Sequence, residues 1–183
     1  MKIKEQSYTL KNGKVATIKS TGPEDGASFN RHMEMVSAET HFMARCPEDG
    51  QFNLERRQEQ LVAVGESETD FSIGVYVDGE IVGQIIVSML RPHLKFRHRF
   101  YLGMSIQQKY TGEGLGSFLM DLAIAQAEAN GMEQLELGVF SDNDRARHLY
   151  QKYGFKEYGM NPRAFKLKDG SYRDEIIMVK FLK

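Results

Sequence analysis

The sequence predicts a mixed α/β sheet, and three successive patterns predict it. Helical patterns dominate the early part, two apolar period-two runs around Asp78-Gly79 follow, and strand and helix patterns then alternate towards the end. In order, residues 14–18 (KVATI) are rich in β-branched side chains and read as a short strand. Pro23, Glu24 and Asp25 resemble a helix opening, with acidic groups where the N-terminal dipole favours them. A helix over about residues 27–36 follows, and a second over 54–64.

From Phe71 the run SIGVYVDGEIVGQIIVSML flanks Asp78-Gly79, a dipeptide that accepts the positive φ angles of a tight hairpin. Residues 99–106 (RFYLGMSI) read as the next strand. Leu115, Phe118, Leu119, Leu122, Ile124, Ala125 and Ala129 recur mostly at spacings of three and four, so a helix runs to Asn130-Gly131. A strand over 134–140, a helix over 142–153 stopped by Gly154, a strand over 155–158 and a last strand over 175–181 complete the chain.

The 183 residues hold no repeat, low-complexity tract or linker, and suffice to bury one core, so one domain over 1–183 is expected. With 24 Lys+Arg against 25 Asp+Glu the formal charge is -1, which points away from nucleic acid or an anionic membrane and towards a small molecule or protein partner. Cys46 is the only cysteine, so an internal disulfide and a cysteine-rich zinc site are excluded, and the histidines lack metal-ligand spacing. The polar N-terminus and the lack of any apolar run near ~18 residues predict a protein of the cytoplasm.

TGEGLGSFLM, residues 111–120, stands between an apparent strand and an amphipathic helix. Unpaired amides at a helix N-terminus attract phosphate, and glycines at 112, 114 and 116 let it approach; a flexible turn is the alternative reading. Gly116 is followed by Ser117 and Phe118, not by the Lys of a nucleotide P-loop, and the loop comes too late for a dinucleotide fingerprint.

Beyond it the chain reads NDRARHLYQKYGF, residues 143–155, with Asn143 and Tyr150 two helical turns apart and Ala146, Leu149 and Tyr153 forming an apolar stripe. SIQQKYTGEGLGSFLM, LELGVF and N-x-x-A-x-x-L-Y-x-K-x-G-F, in this order, resemble the GNAT superfamily of N-acetyltransferases. The resemblance covers about residues 72–158, and the tail KLKDGSYRDEIIMVKFL is similar to that of small bacterial members, with a final strand D-E-x-x-M.

The resemblance implies a single-domain acyl-CoA N-acyltransferase fold, α/β (α+β), with a mixed, mostly antiparallel sheet flanked by helices. It implies acetyl-CoA as co-substrate and a small-molecule or protein amine as acceptor, and sheets of this kind often pair into a homodimer. Its pantetheine would run along Met104, Ser105 and Ile106, and its pyrophosphate would meet the amides of Gly112, Glu113, Gly114, Leu115, Gly116 and Ser117. Asn143 would bond the cofactor arm, and Tyr150 would protonate the leaving thiolate. The chemistry agrees, because a phenol of pKa near ~10 stays protonated at neutral pH and can donate; a core tyrosine is the rival reading.

Two positions depart from the pattern. Thr111 stands where Gln or Arg is usual, and Gly138 stands where some members carry a general-base glutamate. Glu136, two residues earlier on the same strand face, is a candidate base, with water or a merely structural carboxylate as alternatives. The leading reading is an acetyl-CoA-dependent N-acetyltransferase acting by direct attack on a primary amine; these departures count modestly for a second class of function, a catalytically weak acyl-CoA-binding regulatory module, against which Tyr150 and Asn143 count. The basic stretch RPHLKFRHRF, residues 91–100, reads as a solvated connection, ahead of an acidic-substrate guide or a nucleic-acid patch, and His41 to Cys46 (HFMARC) as ordinary packing near the acceptor side.

Overall fold

In a computed structural model describing residues 3–182, the chain builds one eight-stranded sheet with helices on both faces. The strands are β1 (Gln6–Thr9), β2 (Val15–Ser20), β3 (Phe71–Val77), β4 (Glu80–Met89), β5 (Arg99–Ile106), β6 (Gln134–Phe140), β7 (Lys156–Lys166) and β8 (Tyr172–Phe181). The helices are α1 (Gly26–Glu39), α2 (Leu54–Glu66), α3 (Leu115–Ala129) and α4 (Asp144–Lys152). Met1, Lys2 and Lys183, counted in the expected domain, lie outside the described residues.

Strand order is β1-β2-β3-β4-β5-β6-β8-β7, antiparallel at every step but one. The exception is β5 with β6, parallel because α3 crosses between them. Asp78 and Gly79 take φ of 52° and 82°, as the β3–β4 hairpin requires. Alternation then assigns faces. Ile73, Val75, Ile85, Val87, Leu102, Leu135 and Leu137 bury one face against Leu115, Leu119, Met120 and Ala123 of α3. Tyr76 and Ile81 bury the other against Phe29 of α1 and Leu61 of α2.

Differences from the sequence reading are local. Polar QSYT forms β1, unforeseen because its fit comes from pairing with β2 and not from its composition. β7 runs on to Lys166 and β8 begins at Tyr172, each longer than expected, since the two strands sustain one another through register shifts at Glu157/Gly159 and Asn161/Phe165. α4 starts at Asp144, so Asn143 is its N-cap and not a residue inside the helix.

Candidate active site

The parallel β5–β6 pairing is three residues long, Arg99↔Gln134, Phe100↔Leu135 and Tyr101↔Glu136, after which the strands part. β5 nevertheless stays paired to β4 as far as Ile106. In an antiparallel ladder alternate residues exchange hydrogen bonds with the neighbour, and Gln107 N donates to Val82 O at 2.9 Å while Leu90 N donates to Arg99 O at 3.0 Å. Odd-numbered residues therefore bond β4; the last β5–β6 pair, Tyr101↔Glu136, engages the Leu102 amide, and beyond it the amides and carbonyls of Met104 and Ile106 face the opening. A wedge with unpaired backbone results, closed at its base by the three-residue pairing.

The glycine loop lies at the end of β5. Gly112 and Gly114 take φ of 84° and 86°, left-handed values that glycine alone adopts without strain, and Gly114 is the N-cap of α3. A Cβ on Gly116 would meet Leu149 Cδ2 at 3.2 Å, so the missing side chain lets α3 dock against α4. Phe118 N reaches Gly114 O at 3.1 Å, and the amides of Gly112 to Ser117 donate no backbone hydrogen bond among the described residues. Tyr8 OH donates to Glu113 O at 2.7 Å and Lys11 N to Glu113 Oε2 at 2.6 Å, so the β1–β2 hairpin braces the loop from outside.

Six unpaired amides at a helix N-terminus suit a phosphate, and a row of unpaired strand groups suits an extended amide-bearing arm, so the residues fit the acyl-CoA that the fold implies. Ser105 has a different place. Its main chain faces β4, and its Oγ sits 2.8 Å from His32 Nε2 and accepts from Gln84 Nε2 at 3.1 Å. Thr111 Oγ1 donates to Gln108 O at 2.8 Å, which commits it to the turn before the loop. The Asn143 Oδ1 accepts from Ala146 N at 3.2 Å, leaving its amide NH₂ to donate.

His32 is fully buried at 0% exposed, and desolvation drives its pKa down to about 4. The unfolded chain, with pKa near ~6.5, therefore binds the proton more readily. This contribution to stability is present above the unfolded value and is lost as pH falls towards 4. We expect wild type, relative to His32→Gln, to lose about 3 kcal/mol of unfolding free energy between pH 7 and pH 4, measured by urea titration at each pH.

Tyr150 lies at the rim of the core, 7% exposed, its ring 5.9 Å from that of Phe155. Burial first, then the neighbouring Tyr101, raises its pKa to about 12. Tyr101, also raised by burial, spans the wedge, its hydroxyl accepting from Gly138 N at 3.1 Å.

Glu136 is 4% exposed and held by Arg99 through two hydrogen bonds, one of them Nη2 to Oε2 at 2.7 Å. Tyr158 OH and Gln134 Nε2 donate to it at 3.0 and 2.9 Å. The Arg99 bond, above all, holds its pKa below the usual carboxylate value despite burial. Such a carboxylate is saturated with donors and is a poor proton acceptor, which counters the expectation of a base. Beyond it, Phe140 stacks on Phe165 with centroids 3.8 Å apart, and Phe42 and His41 edge against Phe140, so the segment after α1 covers this end of the wedge.

A wedge between parallel strands, opening beside a glycine-rich helix N-terminus with a buried tyrosine at its rim, is the arrangement of an acyl-CoA N-acyltransferase fold. The family model of the Acetyltransferase (GNAT) family matches residues 34–155, and the chain belongs to that family. Among solved structures it is similar to a GNAT-family acetyltransferase of Streptococcus pneumoniae, at 28% identity and TM-score 0.86, covering 92% of this chain and 99% of that one. YncA of Salmonella typhimurium, solved with its cofactor acetyl-CoA, shares the fold at 20% identity and TM-score 0.80, covering 92% and 94%. The L-amino acid N-acetyltransferase AaaT of Escherichia coli is 29% identical over 106 residues, 57% of this chain and 64% of that protein. The spermine/spermidine N(1)-acetyltransferase of Bacillus subtilis is 27% identical over 95 residues, 48% and 60%. The chain thus spans less than two thirds of the length of these curated relatives.

No helix among the described residues is long and apolar enough to cross a membrane, and no group of three or more His, Cys, Asp or Glu there is placed to hold a metal.

Proposed function

We propose that this protein is an acetyl-CoA-dependent N-acetyltransferase of one domain that transfers acetyl to a primary amine by direct attack, with no acyl-enzyme. The observation that carries this reading is the coincidence of unpaired amides on Met104 and Ile106 with the amide cradle of Gly112 to Ser117. Acetyl-CoA supplies an activated thioester. The cradle binds its pyrophosphate, Met104 and Ile106 bind the arm through the main chain, and the Asn143 amide adds a donor. Backbone NH groups near Ile106 stabilise the carbonyl oxygen as negative charge gathers there. Tyr150, protonated at neutral pH, gives its proton to the departing sulfur. Glu136 is a structural carboxylate in this scheme. Amino acids and polyamines, named for the relatives, define the first acceptor classes to try, with protein amines as a third.

The test is incubation with acetyl-CoA and a panel of such amines, reading thiol release and product mass. Thiol release dependent on one amine class, with an acetylated product, is expected. Acetyl-CoA binding without amine-dependent release would instead leave the acyl-CoA-binding regulatory module.

A further inference from the structure

Gly138 lacks a side chain on the strand face it shares with Glu136, yet the space is filled. A Cβ built on Gly138 would overlap the Glu175 carboxylate, with Cδ at 2.9 Å and Cγ at 3.2 Å. Glu175 reaches this point from β8, opposite Phe140 and two pairs beyond Ile177, the partner of Gly138. No described residue holds its carboxylate by a hydrogen bond or ion pair, in contrast to Glu136, which has four donated hydrogen bonds.

Its setting is reactive ground. Glu175 lies close enough to Tyr101 for its charge to oppose ionisation of that phenol, and Tyr101 acts in the same way on Tyr150. Tyr101 therefore links the half-buried carboxylate of β8 to the phenol of α4. Tyr101 of β5 reaches Gly138 of β6 where the two strands diverge, and Glu175 of β8 fills the space over that glycine. An unpaired carboxylate in such a place attracts an ammonium and can take its proton.

We propose that Glu175 is the general base of the reaction, supplied by the neighbouring strand across the gap that Gly138 leaves. The inference rests on the acetyltransferase reading above. Glu175 takes one proton from the acceptor ammonium, directly or through one water, freeing the nitrogen lone pair. That nitrogen bonds the acetyl carbon as the carbon–sulfur bond breaks. Tyr150 protonates the sulfur and regains a proton from the nitrogen, so amide, thiol and one proton carried by Glu175 to solvent close the balance.

The test uses the full chain with the amine that supports the fastest thiol release. Glu175→Gln is expected to lower kcat about 10²-fold. By calorimetry its acetyl-CoA dissociation constant should stay within about twofold of wild type, because the cofactor cradle is untouched. A second pair keeps the charge in the same space: Gly138→Asp with Glu175→Ala should exceed Gly138→Asn with Glu175→Ala in kcat at least about tenfold. Placement has its own readout, since Gly138→Asp alone should unfold at lower temperature and recover when Glu175→Ala is added. Glu175→Gln at wild-type kcat, or equal rates from the Asp and Asn pair, overturns the assignment while leaving the transferase reading intact. A wild-type protein that releases no thiol with any amine overturns both.

Discussion

Tyr150→Phe is expected to lower turnover about 10²-fold and to leave acetyl-CoA affinity within about twofold. Phenylalanine retains the ring that packs near Phe155 and the core, so the substitution removes one hydroxyl and little packing. That hydroxyl has a pKa raised to about 12 by burial and by Tyr101, so it holds its proton across the usable pH range. Raised above the ordinary phenol value, the group is neutral and competent as an acid at every pH where the protein is assayed. Loss of rate should therefore appear in kcat at all pH values and not as a shifted limb. Single-turnover thiol release measures it, and an unchanged rate would remove Tyr150 from the proton transfer.

Arg99→Met is expected to destabilise the fold by about 3 kcal/mol, because it leaves the buried Glu136 carboxylate without its counter-charge. Tyr158 and Gln134 still donate to Glu136, which keeps the loss at the lower end for a broken buried pair. The double variant Arg99→Met with Glu136→Leu should regain most of that stability, since apolar side chains of similar size replace such pairs with little cost. Urea unfolding gives the free energies, and the acetylation rate of the folded double variant gives the more telling number. It should stay within a few-fold of wild type if Glu136 is structural, whereas an inactive double variant would restore Glu136 as the base.

Much of the architecture was legible because its signals are local. Asp78-Gly79 specifies the hairpin through φ angles few other dipeptides accept, and Gly112 and Gly114 mark the cradle for the same reason, while Gly116 does so by close packing against Leu149. β5 and β6 were read to the residue from their apolar alternation. What escaped depends on pairing between distant segments. QSYT has little strand character until β2 lies beside it, and β7 is exposed along most of its length, so no apolar pattern announces its extent. The same limit applies to the site. Gly138 reads as a missing carboxylate, and only the β6–β8 register brings Glu175 over it from 37 positions later in the chain. Ser105 was assigned to the arm with Met104 and Ile106 because a strand quoted as a string hides which amides its ladder has already used.

The parting of β5 from β6 also means that the sheet has edges in its interior. Unpaired strand edges ordinarily invite a foreign strand, and sheet proteins guard against that at their outer rims. Here two such edges face each other across a gap bridged by Tyr101 and walled by α3 and α4. What enters must be thin, extended and able to exchange hydrogen bonds along its length, so the shape of the opening rejects both a folded chain and a flat ring before any side chain takes part in selection.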